Sequence, residues 1–263
     1  MSTVSVTQKN LELSFTHDRN CASRGISTET LIRKAVEKYK IVKDFNFTVW
    51  TGDVYNPDFF SVCVKEDSYD RGFPCFIYDK FSETGMGDYD QTIQSFVATI
   101  PLTNKIGWIG AVNCTARQIY LDKFKDTVFS EAVCNQWNRI NPRDLTQHTP
   151  TYLSYQDQID RWKYLLDMEG CGYSGRTKVL LNTPRIVFIA DRPHKEWWHQ
   201  YIKPWVHYVP VKRDLSDLEE NYHRIESDEK LQQHIKHNQS EFAKQFLVRD
   251  SALLRIKDII DAL

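Results

Sequence analysis

Arg161-Trp162-Lys163-Tyr164-Leu165-Leu166-Asp167-Met168-Glu169-Gly170 runs directly into Cys171-Gly172-Tyr173-Ser174-Gly175-Arg176-Thr177-Lys178. An apolar run, a glycine-rich loop and a helix start carrying a permanent cation follow one another, so the pattern reads strand, loop, helix. Glycines let backbone N–H groups approach a ligand, and a helix N-terminus favours negative charge. The segment therefore predicts a nucleotide-handling half-domain. Ser174 with Arg176 reads as a diphosphate clamp, because a guanidinium is a planar fork matched to phosphate oxygens. Ser174 as a plain N-cap beside a surface Arg176 is the alternative.

Outward from this stretch the chain alternates. Toward the C-terminus, residues 185–190 form a β run, 194–201 a helix and 206–211 a further strand, with helices from 215 to the end. Ser216-Asp217-Leu218-Glu219 reads as a capping box. Toward the N-terminus, 106–110 is a strand entering a loop and 116–124 a helix. A glycine turn at 85–88 precedes a helix over 90–99. Short β-type runs fall at 45–50, 60–64 and 74–78, and a helix over 28–39 opens at Ser27-Thr28-Glu29. Residues 1–15 mix polar and isolated apolar side chains and carry no predicted element. Strands alternating with helices predict an α/β fold. The polar, proline-flanked stretch 141–150 reads as a linker, dividing the chain into domains 1–145 and 146–263.

Composition bounds the partners. The chain has 263 residues, 41% hydrophobic and 26% charged, which is that of an ordinary globular protein. A net charge of −1 argues against nucleic acid or an anionic membrane as main partner. No run has the length or apolarity of a signal peptide or membrane span. The six cysteines, Cys21, Cys63, Cys75, Cys114, Cys134 and Cys171, show no metal-ligand spacing and read as free thiols. A cytoplasmic location is the expectation.

Three motifs carry rival readings. Gly170-Cys171-Gly172-Tyr173-Ser174-Gly175 matches GxGxxG, with Asp191 at the spacing of a dinucleotide fold. Asp167 and Glu169, where that fold needs an apolar strand end, and the short following helix speak against it. Asp88-Tyr89-Asp90 could hold a divalent metal, but its place before a helix favours a cap. His207, beside the aromatic residues Trp205 and Tyr208, reads either as a hydrogen-bonded core residue or as a site residue.

Taken together, the segment above, Glu196-Trp197-Trp198, Lys203-Pro204-Trp205-Val206-His207-Tyr208-Val209-Pro210-Val211 and Asp214-Leu215-Ser216-Asp217-Leu218 resemble the CAP10-type glycosyltransferases. These are the protein O-glucosyltransferases and fungal capsule xylosyltransferases, glycosyltransferase family 90. The match is dense over about 152–218. Trp108-Ile109-Gly110-Ala111-Val112-Asn113-Cys114-Thr115-Ala116-Arg117 is similar to that family's donor loop, with Ile109 where the family has an arginine. Ser68-Tyr69-Asp70-Arg71-Gly72-Phe73-Pro74 resembles its catalytic aspartate segment.

The resemblance implies a GT-B fold, two Rossmann-like lobes with the donor in the cleft between them. It implies inverting, metal-independent transfer of xylose or glucose from a UDP-sugar to a hydroxyl of a glycan or glycoprotein, with UDP-xylose slightly favoured and no cofactor. Asp70 would be the general base, with Asp79 as second candidate. Gly110, Thr115, Arg117, Gly172, Tyr173, Ser174, Arg176, His207 and Tyr208 would bind the donor, arginines and helix N–H groups stabilising the departing UDP. A catalytically inactive nucleotide-sugar or glycan binder is the alternative, followed by a nicotinamide-dependent enzyme built on the GxGxxG.

Overall fold

A computed structural model describes residues 3–18, 22–81, 86–134 and 153–263. Cys21, the linker at 141–150 and the expected boundary at 145/146 lie outside the described residues. The strands are β1 (Thr3–Lys9), β2 (Glu12–His17), β3 (Phe45–Trp50), β4 (Phe60–Ser61), β5 (Lys80–Phe81), β6 (Met86–Asp88), β7 (Thr103–Gly110), β8 (Ser130–Cys134), β9 (Trp162–Asp167), β10 (Ile186–Ala190) and β11 (Val209–Val211). The helices are α1 (Ala22–Tyr39), α2 (Tyr89–Gln94), α3 (Thr115–Phe124), α4 (Tyr155–Arg161), α5 (Thr177–Leu181), α6 (Leu218–Glu226), α7 (Glu229–Phe246) and α8 (Arg249–Ala262).

The chain divides into two compact units. The first comprises Met1–Gln94, Pro193–Tyr201 and Gln245–Leu263. Its sheet has the order β2-β1-β3-β4. The β1–β2 hairpin turns at Asn10 and Leu11, both at positive φ (49° and 68°), the geometry whose twist suits two antiparallel strands. Val4, Val6, Phe47 and Val49 are buried at period two, the alternation of a sheet packed on one face. Leu31, Ile32 and Ala35 of α1 are fully buried, and α1 also packs on α8.

The second unit comprises Ser95–Arg192 and Ile202–Lys244. Its five strands are all parallel, in the order β11-β10-β9-β7-β8. All five residues of β10 are buried, as a parallel strand covered on both faces requires. Trp108, Tyr120, Tyr164, Phe188, Tyr222 and Ile225 belong to one core. Between β7 and β9 the strands approach closely. A Cβ on Gly107 would lie 1.7 Å from the Trp162 ring. Gln239 of α7 accepts from Val187 N (3.1 Å) and donates to Arg185 O (2.8 Å), stapling that helix to β10.

Several expectations are corrected. β7 and β8 precede residue 145 yet pair in one sheet with β9, which follows it. The division into 1–145 and 146–263 therefore does not coincide with the compact units, because the sheet's hydrogen bonds run across it. The run 74–78 is not a strand but a 3-10 turn, Phe76–Tyr78, its three side chains buried. Its apolarity reports burial rather than period. The helix expected over 194–201 is a 3-10 turn, Trp197–Gln200, and that over 90–99 stops at Gln94. α1 begins well before Thr28, whose hydroxyl donates to Arg24 O within the helix (2.9 Å) instead of capping it. The capping box at 216–219 does not form. Asp214 takes Ser216 N (3.1 Å), and Asp217 takes Lys212 N (2.8 Å).

Candidate functional site

The strand order of the parallel sheet reverses between β7 and β9. The chain goes from β7 to β8 on one side, then returns to β9, β10 and β11 on the other. Ligands of such sheets bind outside the carboxyl ends of the strands at this switch point, where the following loops diverge. Here β7 ends at Gly110 and leads through Ala111–Cys114 into α3, while β9 ends at Asp167 and leads into the glycine loop.

Asp167 organises that edge. It is 0% exposed and accepts from Ser174 Oγ (2.7 Å) and Arg176 Nε (3.2 Å) on one oxygen. Its other oxygen accepts from Thr177 Oγ1 (2.6 Å) and Arg192 Nη2 (2.5 Å). Burial pushes its pKa up, but Arg192, Arg176 and the two hydroxyl donors outweigh that and hold it at about 2. The carboxylate is thus a permanent anion flanked by two guanidinium groups.

Arg176 also donates through Nη1 to Ile109 O. Its guanidinium lies 5.8 Å from the centre of the Trp108 ring, and that of Arg117 lies 5.5 Å from it. Arg117 donates Nη1 to Ala111 O (2.9 Å). Burial, and next the neighbouring charge of Arg176, push the Arg117 pKa down to about 10. Gly170 sits against this arginine, since a Cβ there would come within 3.7 Å of Arg117 Nη2. Among the described residues, Arg117 Nε, Arg192 Nη1, Trp108 Nε1 and Asn113 Oδ1 are buried without a hydrogen-bond partner. Such groups are costly to leave unmade, and three donors and one acceptor of this edge are in that state.

The structure brings to this edge Gly110 at the end of β7, Thr115 and Arg117 in the first turn of α3, and Gly172, Tyr173, Ser174 and Arg176 on the loop after β9. Ser174 is not the N-cap of α5. That position is Arg176, and the Ser174 hydroxyl proton goes to Asp167. His207 and Tyr208 are not brought to this edge. They precede the first residue of β11, where His207 Nδ1 accepts from Lys203 N (2.9 Å) and its ring packs on Phe242. His207 is thus a hydrogen-bonded, half-buried packing residue rather than a core one, and burial lowers its pKa. The dinucleotide reading loses its geometry, because residues 168–176 separate β9 from an α5 of only five residues. That fingerprint needs a tight turn into a packed helix. Asp167, Arg192, Thr177 and Asn113 escaped sequence reasoning. An aspartate closing the apolar run of β9 was the available signal for the first.

In the first unit, Asp70 lies exposed on the 3-10 turn Tyr69–Arg71. Arg255 holds that turn by its carbonyls, donating to Tyr69 O (3.2 Å), Asp70 O (2.7 Å) and Gly72 O (3.1 Å). Asp79 is buried, and its carboxylate pairs with Lys34 (2.9 Å). Asp88 accepts from Gln91 N (3.0 Å), and Arg249 pairs with both Asp88 (2.7 Å) and Asp90 (3.3 Å). The Asp88-Tyr89-Asp90 segment is therefore a helix cap clamped by an arginine. No group of three metal-ligating side chains is assembled among the described residues, and no helix among them is long and apolar enough to cross a membrane.

A parallel sheet whose switch point gathers two arginines on one buried carboxylate, with a third arginine nearby, belongs to the α/β proteins suited to an anionic ligand. Within that class the chain belongs to Glycosyl transferase family 90, whose model matches residues 42–254. Protein O-glucosyltransferase 1 of Rattus norvegicus is 36% identical over 90 residues, 34% of this chain and 23% of that protein. Uncharacterized protein 035R of Invertebrate iridescent virus 3 is 24% identical over 173 residues, 60% of this chain and 15% of its own length. The chain thus matches less than a quarter of the length of these relatives. The C-terminal domain of a glycosyl transferase group 1 family protein from Francisella tularensis has a TM-score of 0.37 and 14% identity, covering 60% of this chain and 92% of its own.

Proposed function

We propose that this glycosyltransferase binds the diphosphate of a UDP-sugar at the β7/β9 switch point and transfers the sugar, with inversion and without a metal, to a hydroxyl of a glycan or glycoprotein. The observation that carries the reading is the buried charge there. Arg176 and Arg192 pair with a single carboxylate, Asp167, and Arg117 lies near enough to Arg176 to feel its charge. A site with surplus buried cations is matched by an anion, and a leaving diphosphate is stabilised by preorganised cations of this kind. The metal-free reading is supported by those arginines and by the use of Asp88 and Asp90 as an arginine-clamped cap.

Asp70 is the proposed base. Its exposed carboxylate accepts no hydrogen bond from the described residues, whereas that of Asp79 is committed to Lys34. A base must be free to take the acceptor's proton as the hydroxyl attacks the anomeric carbon. No residue separates xylose from glucose, and relatives matched here carry glucose in their names, so UDP-glucose is the first donor to test. Calorimetry with UDP, UDP-glucose and UDP-xylose, alongside NAD, tests the site. UDP-sugar-dependent release of UDP tests turnover. Binding of NAD in preference to every uridine nucleotide would overturn the reading.

A further inference from the structure

We infer that Arg192 is a positioning residue of this donor site, which by occupying Asp167 leaves the charge of Arg176 available to the diphosphate. The inference rests on the donor reading and goes beyond it. Arg192 is 2% exposed, so its charge serves the interior rather than the surface. The two oxygens of Asp167 are divided between the two guanidinium groups, Arg176 on one and Arg192 on the other. Arg176 remains 20% exposed and gives Nε to Asp167, Nη1 to Ile109 O and Nη2 to Leu166 O at 3.4 Å. A guanidinium has five N–H groups, so it keeps donors as well as charge for a ligand.

The charge count explains why a second buried arginine stands behind the first. With Arg192 present, the Asp167–Arg176–Arg192 cluster carries a net positive charge. Without it, Asp167 and Arg176 make a neutral pair, and the cation nearest the glycine loop is cancelled. A carboxylate paired with a single cation competes with an anionic ligand for it, because electrostatic attraction in a buried site is weakly screened. Arg192 stands at the carboxyl end of β10, next to the switch-point strand, where it reaches Asp167 without entering the glycine loop. Each Asp167 oxygen also accepts a hydroxyl, Ser174 on the one shared with Arg176 and Thr177 on the one shared with Arg192.

The test is a rescue cycle read as affinity for UDP and for inorganic pyrophosphate by calorimetry, with thermal unfolding followed in parallel. R192M should weaken both ligands about tenfold or more, in line with loss of one charge-assisted contact. The double variant D167N/R192M, in which the uncompensated carboxylate is also gone, should return both affinities to within about threefold of the wild type, a coupling that independent sites do not show. R192K keeps the counter-ion and should bind nearly normally, and it serves if R192M does not fold. A double variant that binds no better than R192M overturns the inference, as does R192K losing affinity as R192M does. If the wild type binds neither UDP nor pyrophosphate, the donor reading fails and takes this inference with it. Wild-type binding without rescue sinks only the role of Arg192.

Discussion

At Asp70 and Asp79 two aspartates of one unit have opposite surroundings. Asp70 → Asn keeps the shape of the side chain and cannot accept a proton, so turnover should fall by about 10²–10⁴-fold while UDP-sugar affinity is nearly unchanged. Asp79 → Asn breaks the pair with Lys34 and should lower the melting temperature instead. Near-normal rates in the first variant with collapse in the second would move the base to Asp79. Arg176 → Ala should weaken UDP and UDP-sugar alike, by about ten- to a hundredfold for a loss of roughly 1.5–3 kcal/mol. Unchanged UDP affinity would remove Arg176 from the donor site. Asp167 also sets an acid limb of stability. Its folded pKa of about 2 lies below the ordinary 3.8, so its contribution is fully present above 3.8 and is lost as pH falls through the folded value. Denaturant unfolding from pH 5 down to 2.5 should show a shallower decline for Asp167 → Asn than for the wild type. Parallel declines would contradict the buried ion-pair assignment.

At the scale of elements, the site depends on how closely β7 and β9 lie. Trp162 crosses Gly107, and its ring is held by an indole hydrogen bond to Glu131 Oε2 (2.6 Å), a carboxylate that Arg161 also grips. Gly107 → Ala puts a methyl group into that ring. Overpacking of this kind costs about 1–3 kcal/mol, and thermal unfolding should register it as a lower melting temperature with weaker UDP binding. An unchanged melting temperature would mean the strands part easily. The helix over α3, the strands β3 and β10 and the glycine loop were legible, because apolar periodicity and glycine spacing are local properties. The 3-10 turns at Phe76–Tyr78 and Trp197–Gln200 were not. A buried apolar run shows the same hydrophobicity whether it is extended or turned. The β1–β2 hairpin was missed for a different reason. Its turn is Asn10-Leu11, where leucine adopts positive φ against local preference.

For the molecule as a whole, the expected chemistry is transfer without a metal. EDTA should leave sugar transfer within about twofold of its rate, since arginines rather than a metal ion would stabilise the leaving diphosphate. Loss of transfer with EDTA and its return with Mn²⁺ or Mg²⁺ would overturn the metal-free reading. The α/β class and the family were determined by the sequence alone, because each rests on residue types at short, fixed spacing. Tertiary structure decided the rest. Which strands share a sheet depends on hydrogen bonds between segments far apart in the chain, so β7 and β8 joined β9 across the expected boundary. The same long-range pairing carried Arg117 of α3 and the residues at the ends of β9 and β10, Asp167 and Arg192, to one edge, and left His207 and Tyr208 away from it. Charge neutralisation between distant residues has no signature in local spacing, which is why Arg192 became visible only in the folded chain.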